Sequence, residues 1–281
     1  MTKFFKATGL SAIYFFIYFG FQIIFIFLFI FIDAILNRLR GIATIPEAAA
    51  LNIYNYFGYA IALSILASLG IYLIIFRLRK RRLIYEISLK SLDVKPIFYL
   101  LLLAIASSLL AGFLVSALIP YFPSYNEVSE SITSTTENAF GVMVTTLMVP
   151  FFEEVLFRGL IYREFKKFLP FIPALIIQGL IFGAAHGNML QFIYAFLLGL
   201  LLGAVYHWFK TLWAPIIVHC GFNLLGSLIL PNYLYTNKIL TIVYIIAGIL
   251  LTILCLFKLR YLGISSRIYV EEKDYNVENS I

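Results

Sequence analysis

The sequence predicts an all-α polytopic membrane protein of about eight transmembrane helices. Three observations carry this. Of the 281 residues, 62% are hydrophobic and 12% charged, against about 45–50% apolar and about 25% charged in a soluble domain. The apolar residues gather in runs of roughly 20, the length that crosses a hydrocarbon core. The basic residues sit in the short segments between runs, as the positive-inside rule requires. That placement also argues against nucleic-acid binding, despite a net charge of +7, because no basic face stands apart from the apolar runs.

The first run, 10–32, is rich in Phe and Ile and has no charge between Lys6 and Asp33. It is expected to face lipid. It is too long for the apolar region of a signal peptide and lacks a small-residue cleavage site, so it reads as a span. The loop 33–50 carries Asp33, Arg38, Arg40 and Glu47. The second run, 51–76, ends at Arg77-Leu78-Arg79-Lys80-Arg81-Arg82, with Lys90 and Lys95 beyond. This most basic loop belongs in the cytoplasm. Topology alone accounts for its charge, an anionic-lipid clamp being the less economical reading.

The third run, 96–119, leads to a loop at 120–138 with Glu127, Glu130 and Glu137 and no Lys or Arg, expected outside. The fourth, 139–162, returns to the cytoplasm at Arg163, Lys166 and Lys167. The fifth, 171–187, is short. Its tight turn into the sixth, 189–209, is expected to dip into the membrane against protein. The runs 212–230 and 239–258 complete the set, and 261–281 is a polar cytoplasmic tail. With both termini inside, 17 Lys and Arg are cytoplasmic, three are outside (Arg38, Arg40, Lys238) and Arg158 is within the membrane. Residues 1–281 thus form a single transmembrane domain with its motif-bearing core at about 138–230. No internal repeat supports an inverted-repeat transporter. Cys220 and Cys255 lie far apart in apolar runs, which fits neither a zinc knuckle nor a disulfide framework.

The chemistry concentrates in three of these runs. The fourth contains Glu153, Glu154 and Arg158. On an insertion scale each such charge at a helix centre costs about 2.5–3.5 kcal/mol, whereas each Leu, Ile, Phe or Val returns only about 0.3–0.6 kcal/mol. The three therefore need partners inside the protein. Glu154 and Arg158 stand i, i+4 and can pair along one helix face, which reads as a structural ion pair. Glu153 points elsewhere, with apolar Phe157 at i+4 and no charge partner aligned with it on its own helix. A carboxylate held away from charge in a low-dielectric site suits a general base.

The fifth run places Phe182 and His186 at i, i+4 beside the small residues Gly183, Ala184 and Ala185, which let a second backbone approach. The seventh places His219 and Asn223 at i, i+4, after Pro215, which is expected to kink or loosen the helix start. His207, beside Trp208 and Lys210, reads as an interfacial anchor. One carboxylate, two imidazoles and an amide support two chemistries. In the first, Glu153 with His186 activates water, and His219 with Asn223 stabilises the oxyanion. In the second, Glu153, His186 and His219 hold Zn2+, which lowers the pKa of the water. The scattered ligands, without a His-Glu-x-x-His, leave the metal undiagnosed. No Gly-x-Ser-x-Gly and no catalytic cysteine context supports a serine or thiol route.

Taken in order, Glu153-Glu154-x-x-x-Arg158, Phe182-x-x-x-His186 and His219-x-x-x-Asn223 resemble the motifs of the CPBP family (the CAAX-protease-like or Abi family), with Trp213-Ala214-Pro215-Ile216 typical of its bacterial members. The resemblance covers roughly 140–225. It implies an eight-helix intramembrane endopeptidase, glutamate-dependent or metal-dependent. Glu153 would be the essential base and His186 would polarise the water. His219 and Asn223 would form the oxyanion site, with Glu154, Arg158 and Phe182 in support. The substrate would be a membrane-associated protein or peptide, as in CAAX-type processing, bacteriocin processing or self-immunity, cut in a bacterial plasma membrane. The rival readings are a non-catalytic immunity or scaffold protein on the same fold and a proton-coupled transporter using Glu153 and the histidines as a relay.

Overall fold

A computed structural model describes the backbone of residues 2–41, 46–226 and 238–278, with side chains described except at 46–55, 238–239 and 266–278. The helices in chain order are α1 (Thr2–Leu39), α2 (Pro46–Leu78), α3 (Val94–Leu118), α4 (Tyr125–Thr135), α5 (Ala139–Lys166), α6 (Phe171–Ala184), α7 (Met189–Phe209), α8 (Trp213–Leu224) and α9 (Lys238–Glu278). No strand occurs among the described residues.

Every expected span has its helix, and among the described residues six are long and apolar enough to cross a membrane: α1, α2 from Tyr56, α3 with its 3-10 extension to Tyr121, α5, α7 and α9 over Leu240–Ser265. The other two, α6 and α8, have 14 and 12 residues. At 1.5 Å per residue they are about 21 and 18 Å long, against roughly 30 Å of hydrocarbon. Residues 227–230 of the expected seventh span lie outside the described residues, as do the side chains of Glu47, Lys238, Arg267 and Lys273. The helix expected to end near 258 runs on to Glu278. Extending a formed helix needs no new nucleus, so polar residues continue a helix that they would not start.

The chain folds as two compact units, each discontinuous in sequence: Met1–Glu86 with Pro123–Leu169, and Ile87–Phe122 with Pro170–Ile281.

In the first unit α1 packs on α2. The side chains of α1 that are buried, Ala7, Ser11, Tyr14 and Tyr18, form one narrow stripe at spacings of four, three and four. Of the remainder, large apolar side chains such as Phe5, Phe16, Phe27 and Phe31 are exposed. The seam is aromatic. Tyr72 donates its hydroxyl to the Tyr14 carbonyl oxygen at 2.6 Å, and the two rings meet edge to face at 5.6 Å. Polar helix α4 contacts α2 where Gly58 faces Thr135. Asn138 then caps α5, its side-chain oxygen accepting from the Gly141 N–H at 2.9 Å.

In the second unit α3 packs on α8 and α9, and α6 packs on α7. Glycines make these crossings close. Both facing helices of the α6–α7 pair carry a Gly-x-x-x-Gly, Gly179/Gly183 and Gly199/Gly203, the spacing that brings backbones together in a membrane. A Cβ on Gly183 would stand 2.9 Å from the Phe192 carbonyl oxygen. Buried Gln178 secures the pair by donating to the Gly199 carbonyl oxygen at 2.7 Å. Ser108 of α3 donates to the Phe222 carbonyl oxygen of α8 at 3.3 Å. Thr211 donates to the Lys90 carbonyl oxygen at 2.6 Å, and the Leu212 N–H to Ser88 at 3.0 Å, fixing the start of α8.

Gly183→Val forces α6 away from α7 and is expected to destabilise the protein by about 1–3 kcal/mol, the usual range for overpacking. Thermal unfolding in detergent checks this, with Gly9→Ala, which meets nothing within 4 Å, as the unaffected control.

Candidate active site

The carboxylates sit on α5, whose winding is unusual. The short α-helical turn Val149–Glu153 is flanked by two π-helical stretches, Val144–Met148 and Glu154–Tyr162. Pro150 supplies part of the reason, since it has no N–H to return to the Thr146 carbonyl. Thr145 and Thr146 also turn their hydroxyls back onto the Gly141 and Val142 carbonyls, at 2.9 and 2.7 Å, a bond that bends helices. Single π turns inside α-helices occur frequently at functional sites.

Glu154 and Arg158 are both fully buried, with Oε1 and Nη1 2.7 Å apart, so the expected i, i+4 ion pair forms. Glu153 is half-buried. It is not the carboxylate without a charge partner that the sequence suggested, because the Arg158 guanidinium lies in the field of Glu153 as well as Glu154. One residue of offset does not take a carboxylate out of Coulomb range in a low dielectric. Next to it, Phe152 is fully buried against Tyr18, 4.5 Å between ring centroids, and Tyr72, 6.1 Å. These rings set how α5 presents Glu153.

The imidazoles belong to the second unit. Helix α6 ends at a tight turn in which Gly187 adopts a left-handed φ of 69°, a conformation that costs little only for glycine. Asn188 then caps α7, its side-chain oxygen accepting from the Leu190 and Gln191 N–H groups at 3.0 and 3.3 Å. His186 is held in the last turn before this break. Its Nδ1 donates to the Phe182 carbonyl oxygen at 2.9 Å. A carbonyl oxygen can only accept, so in the neutral ring the lone pair is on Nε2. The Phe182 ring is fully buried and takes both imidazoles edge to face, His186 at 5.2 Å and His219 at 5.7 Å between centroids. His219 is almost wholly buried, and Asn223 is half-buried one turn further along α8. Pro215 leaves α8 intact, because it falls in the first turn, where its missing N–H breaks no bond within the helix. His207 stacks on Phe171 at 4.1 Å, separate from this group.

The structure thus gathers Glu153, Glu154 and Arg158 in one unit, and Phe182, His186 and His219, with Asn223, in the other. Among the described residues no group of three or more His, Cys, Asp or Glu is disposed to hold a metal ion. Both cysteines are free thiols. Sequence reading missed three supporting residues: Gln178, and Gly187 with Asn188 as the device that stops α6 at His186. The Gly-Asn pair was legible as a turn, but its part in placing an imidazole was not.

Residues 135–225 match the model of the family described as Rce1-like, type II CAAX prenyl endopeptidase. This segment is similar to the CPBP family. The matched segment is about a third of the chain and contains every candidate residue named above. No curated protein and no solved structure matches significantly. The family is one of intramembrane proteases of the CAAX type, which act on membrane-associated proteins. The apolar helices of the chain are those of an integral membrane protein.

Removing one member of the buried pair, as in Arg158→Met, strands the other charge and is expected to cost about 3–5 kcal/mol. Glu154→Gln combined with Arg158→Met is expected to recover most of that loss. Unfolding midpoints of the three purified proteins in one detergent check both.

Proposed function

We propose that this protein is an intramembrane endopeptidase that hydrolyses a peptide bond with its own carboxylate and imidazoles. The observation that carries the reading is the pair of histidines set edge-on against a single buried Phe182 ring, within the segment that matches a family of endopeptidases.

In this mechanism the Glu153 carboxylate takes a proton from water while His186 Nε2 accepts a hydrogen bond from the same water. The water oxygen attacks the peptide carbonyl carbon. His219 and Asn223 donate to the oxyanion of the tetrahedral intermediate, a kind of stabilisation in which one donor is typically worth about 2.7–4 kcal/mol. The C–N bond then breaks, and Glu153 returns its proton to the leaving amine. Glu154 and Arg158 hold α5 in register without touching substrate.

The substrate is a membrane-associated protein or peptide cut towards the cytoplasmic half of the bilayer, since Glu153 lies ten residues before the basic end of α5. Charge distribution supports a cytoplasmic placement of both termini, and Trp213-Ala214-Pro215-Ile216, which resembles bacterial members, supports a bacterial plasma membrane.

A survey of new peptide ends in membranes of a null host is expected to find termini with the wild type that vanish with Glu153→Ala and with His186→Ala, at matched protein levels. Those termini distinguish a lipid-modified tail from a bacteriocin-type peptide. Identical surveys for wild type and Glu153→Ala would overturn the assignment and leave an immunity scaffold or a transporter. Asn223→Ala is expected to lower kcat about 100-fold or more with little change in KM, as loss of one oxyanion donor does. Cleavage by protein dialysed against a chelator is expected to persist; loss that zinc restores would give Glu153, His186 and His219 to the metal instead.

A further inference from the structure

A second polar feature in the first unit takes no part in this chemistry. The start of α1, the end of α2 and the end of α5 enclose a cavity of about 690 Å3. Five basic side chains line it, Lys3, Lys6, Arg79, Arg81 and Lys167, against two acidic ones, Glu86 and Glu164. Both carboxylates are already engaged. Glu86 pairs with Arg163 at 2.7 Å and with Arg81 at 3.6 Å, and Glu164 pairs with Lys167 at 2.5 Å. Arg79 donates to the Tyr14 hydroxyl at 3.2 Å, a neutral partner. Lys3 and Lys6 make no ion pair among the described residues, and their i, i+3 spacing sets them on one face of α1. Among the described residues, three cations of the cavity, Lys3, Lys6 and Arg79, make no ion pair with an acidic side chain.

Its other wall is apolar, formed by Leu10, Phe76 and Phe168. The volume falls within the roughly 300–1,000 Å3 of small-molecule sites. The wall also adjoins α1, whose outer face is lined by exposed apolar side chains. A ligand that fits must be anionic at one end and apolar at the other, and must arrive from the membrane. Lys and Arg together favour a phosphate, which accepts from several donors at once.

We propose that this cavity binds the phosphate of an anionic membrane lipid, with the acyl chains leaving along α1. The same phosphate chemistry would suit a free anion; the apolar wall favours the lipid. On this reading the basic residues after α2 serve a built site as well as topology, and bound lipid ties α1 to the ends of α2 and α5.

The test uses the full-length protein in detergent, delipidated and then offered phosphatidylglycerol, phosphatidylcholine or inorganic phosphate, with bound lipid counted by native mass spectrometry. Wild type is expected to retain one phosphatidylglycerol per chain in preference to phosphatidylcholine, with retention weakening as salt rises. The Lys3→Gln/Lys6→Gln protein is expected to bind it about thirtyfold more weakly, each lysine near an anionic headgroup adding to the attraction. Both lysines are exposed, so the unfolding midpoint without lipid should match wild type. The Lys3→Arg/Lys6→Arg protein keeps the charge and should bind as wild type does. Equal retention of the two lipids, or undiminished phosphatidylglycerol on the glutamine variant, overturns the proposal. Full displacement by millimolar inorganic phosphate would mark a free-anion site and overturn it equally.

Discussion

A charge inside hydrocarbon must have a partner, and the Glu154–Arg158 pair is where this chain meets that constraint most severely. Both groups are wholly out of solvent and 2.7 Å apart. Desolvating two ions costs several kcal/mol each, and only close geometry within protein recovers it. Helix α5 therefore cannot face lipid over this stretch. All nine residues of the π-helical segment 154–162 are buried, and α1 lies against it. The aromatic seam of Tyr14, Tyr18, Tyr72 and Phe152 is the apolar part of the same enclosure.

The second unit answers the same constraint with backbone proximity. Helices in lipid gain nothing from hiding apolar surface from water, so they associate through close packing and hydrogen bonds. The paired glycines of α6 and α7 supply the first, and Gln178 with Ser108 the second. An aromatic ring can then sit where two histidines reach it. The short α6, stopped by Gly187 and Asn188, leaves His186 at a helix end.

Function and fold draw on the same residue types for different reasons. Glu153 and Glu154 are neighbours, yet one is fully buried in an ion pair and the other is half-buried beside it. The cationic cavity shows a similar division, where Glu86 pairs with Arg81 and Arg163 while Lys3, Lys6 and Arg79 make no ion pair among the described residues.

Much of this was determined by the sequence itself. Apolar run length specified the helices, because the hydrocarbon thickness is fixed. Charge inside those runs marked Glu153, Glu154 and Arg158, and i, i+4 spacing anticipated the 2.7 Å pair, since both are local. The same spacing linked Phe182 to His186 and His219 to Asn223 within their helices. Only the tertiary structure decided what depends on neighbours distant in sequence. The π winding of α5, the shortness of α8 and the length of α9 were not legible. Nor was the meeting of His186 and His219 at one phenylalanine, or that of Lys3, Arg79 and Lys167 around one cavity. Helical periodicity reports which side chains share a face of one helix; which faces then come together is set by packing between helices, whose contacts no single run contains.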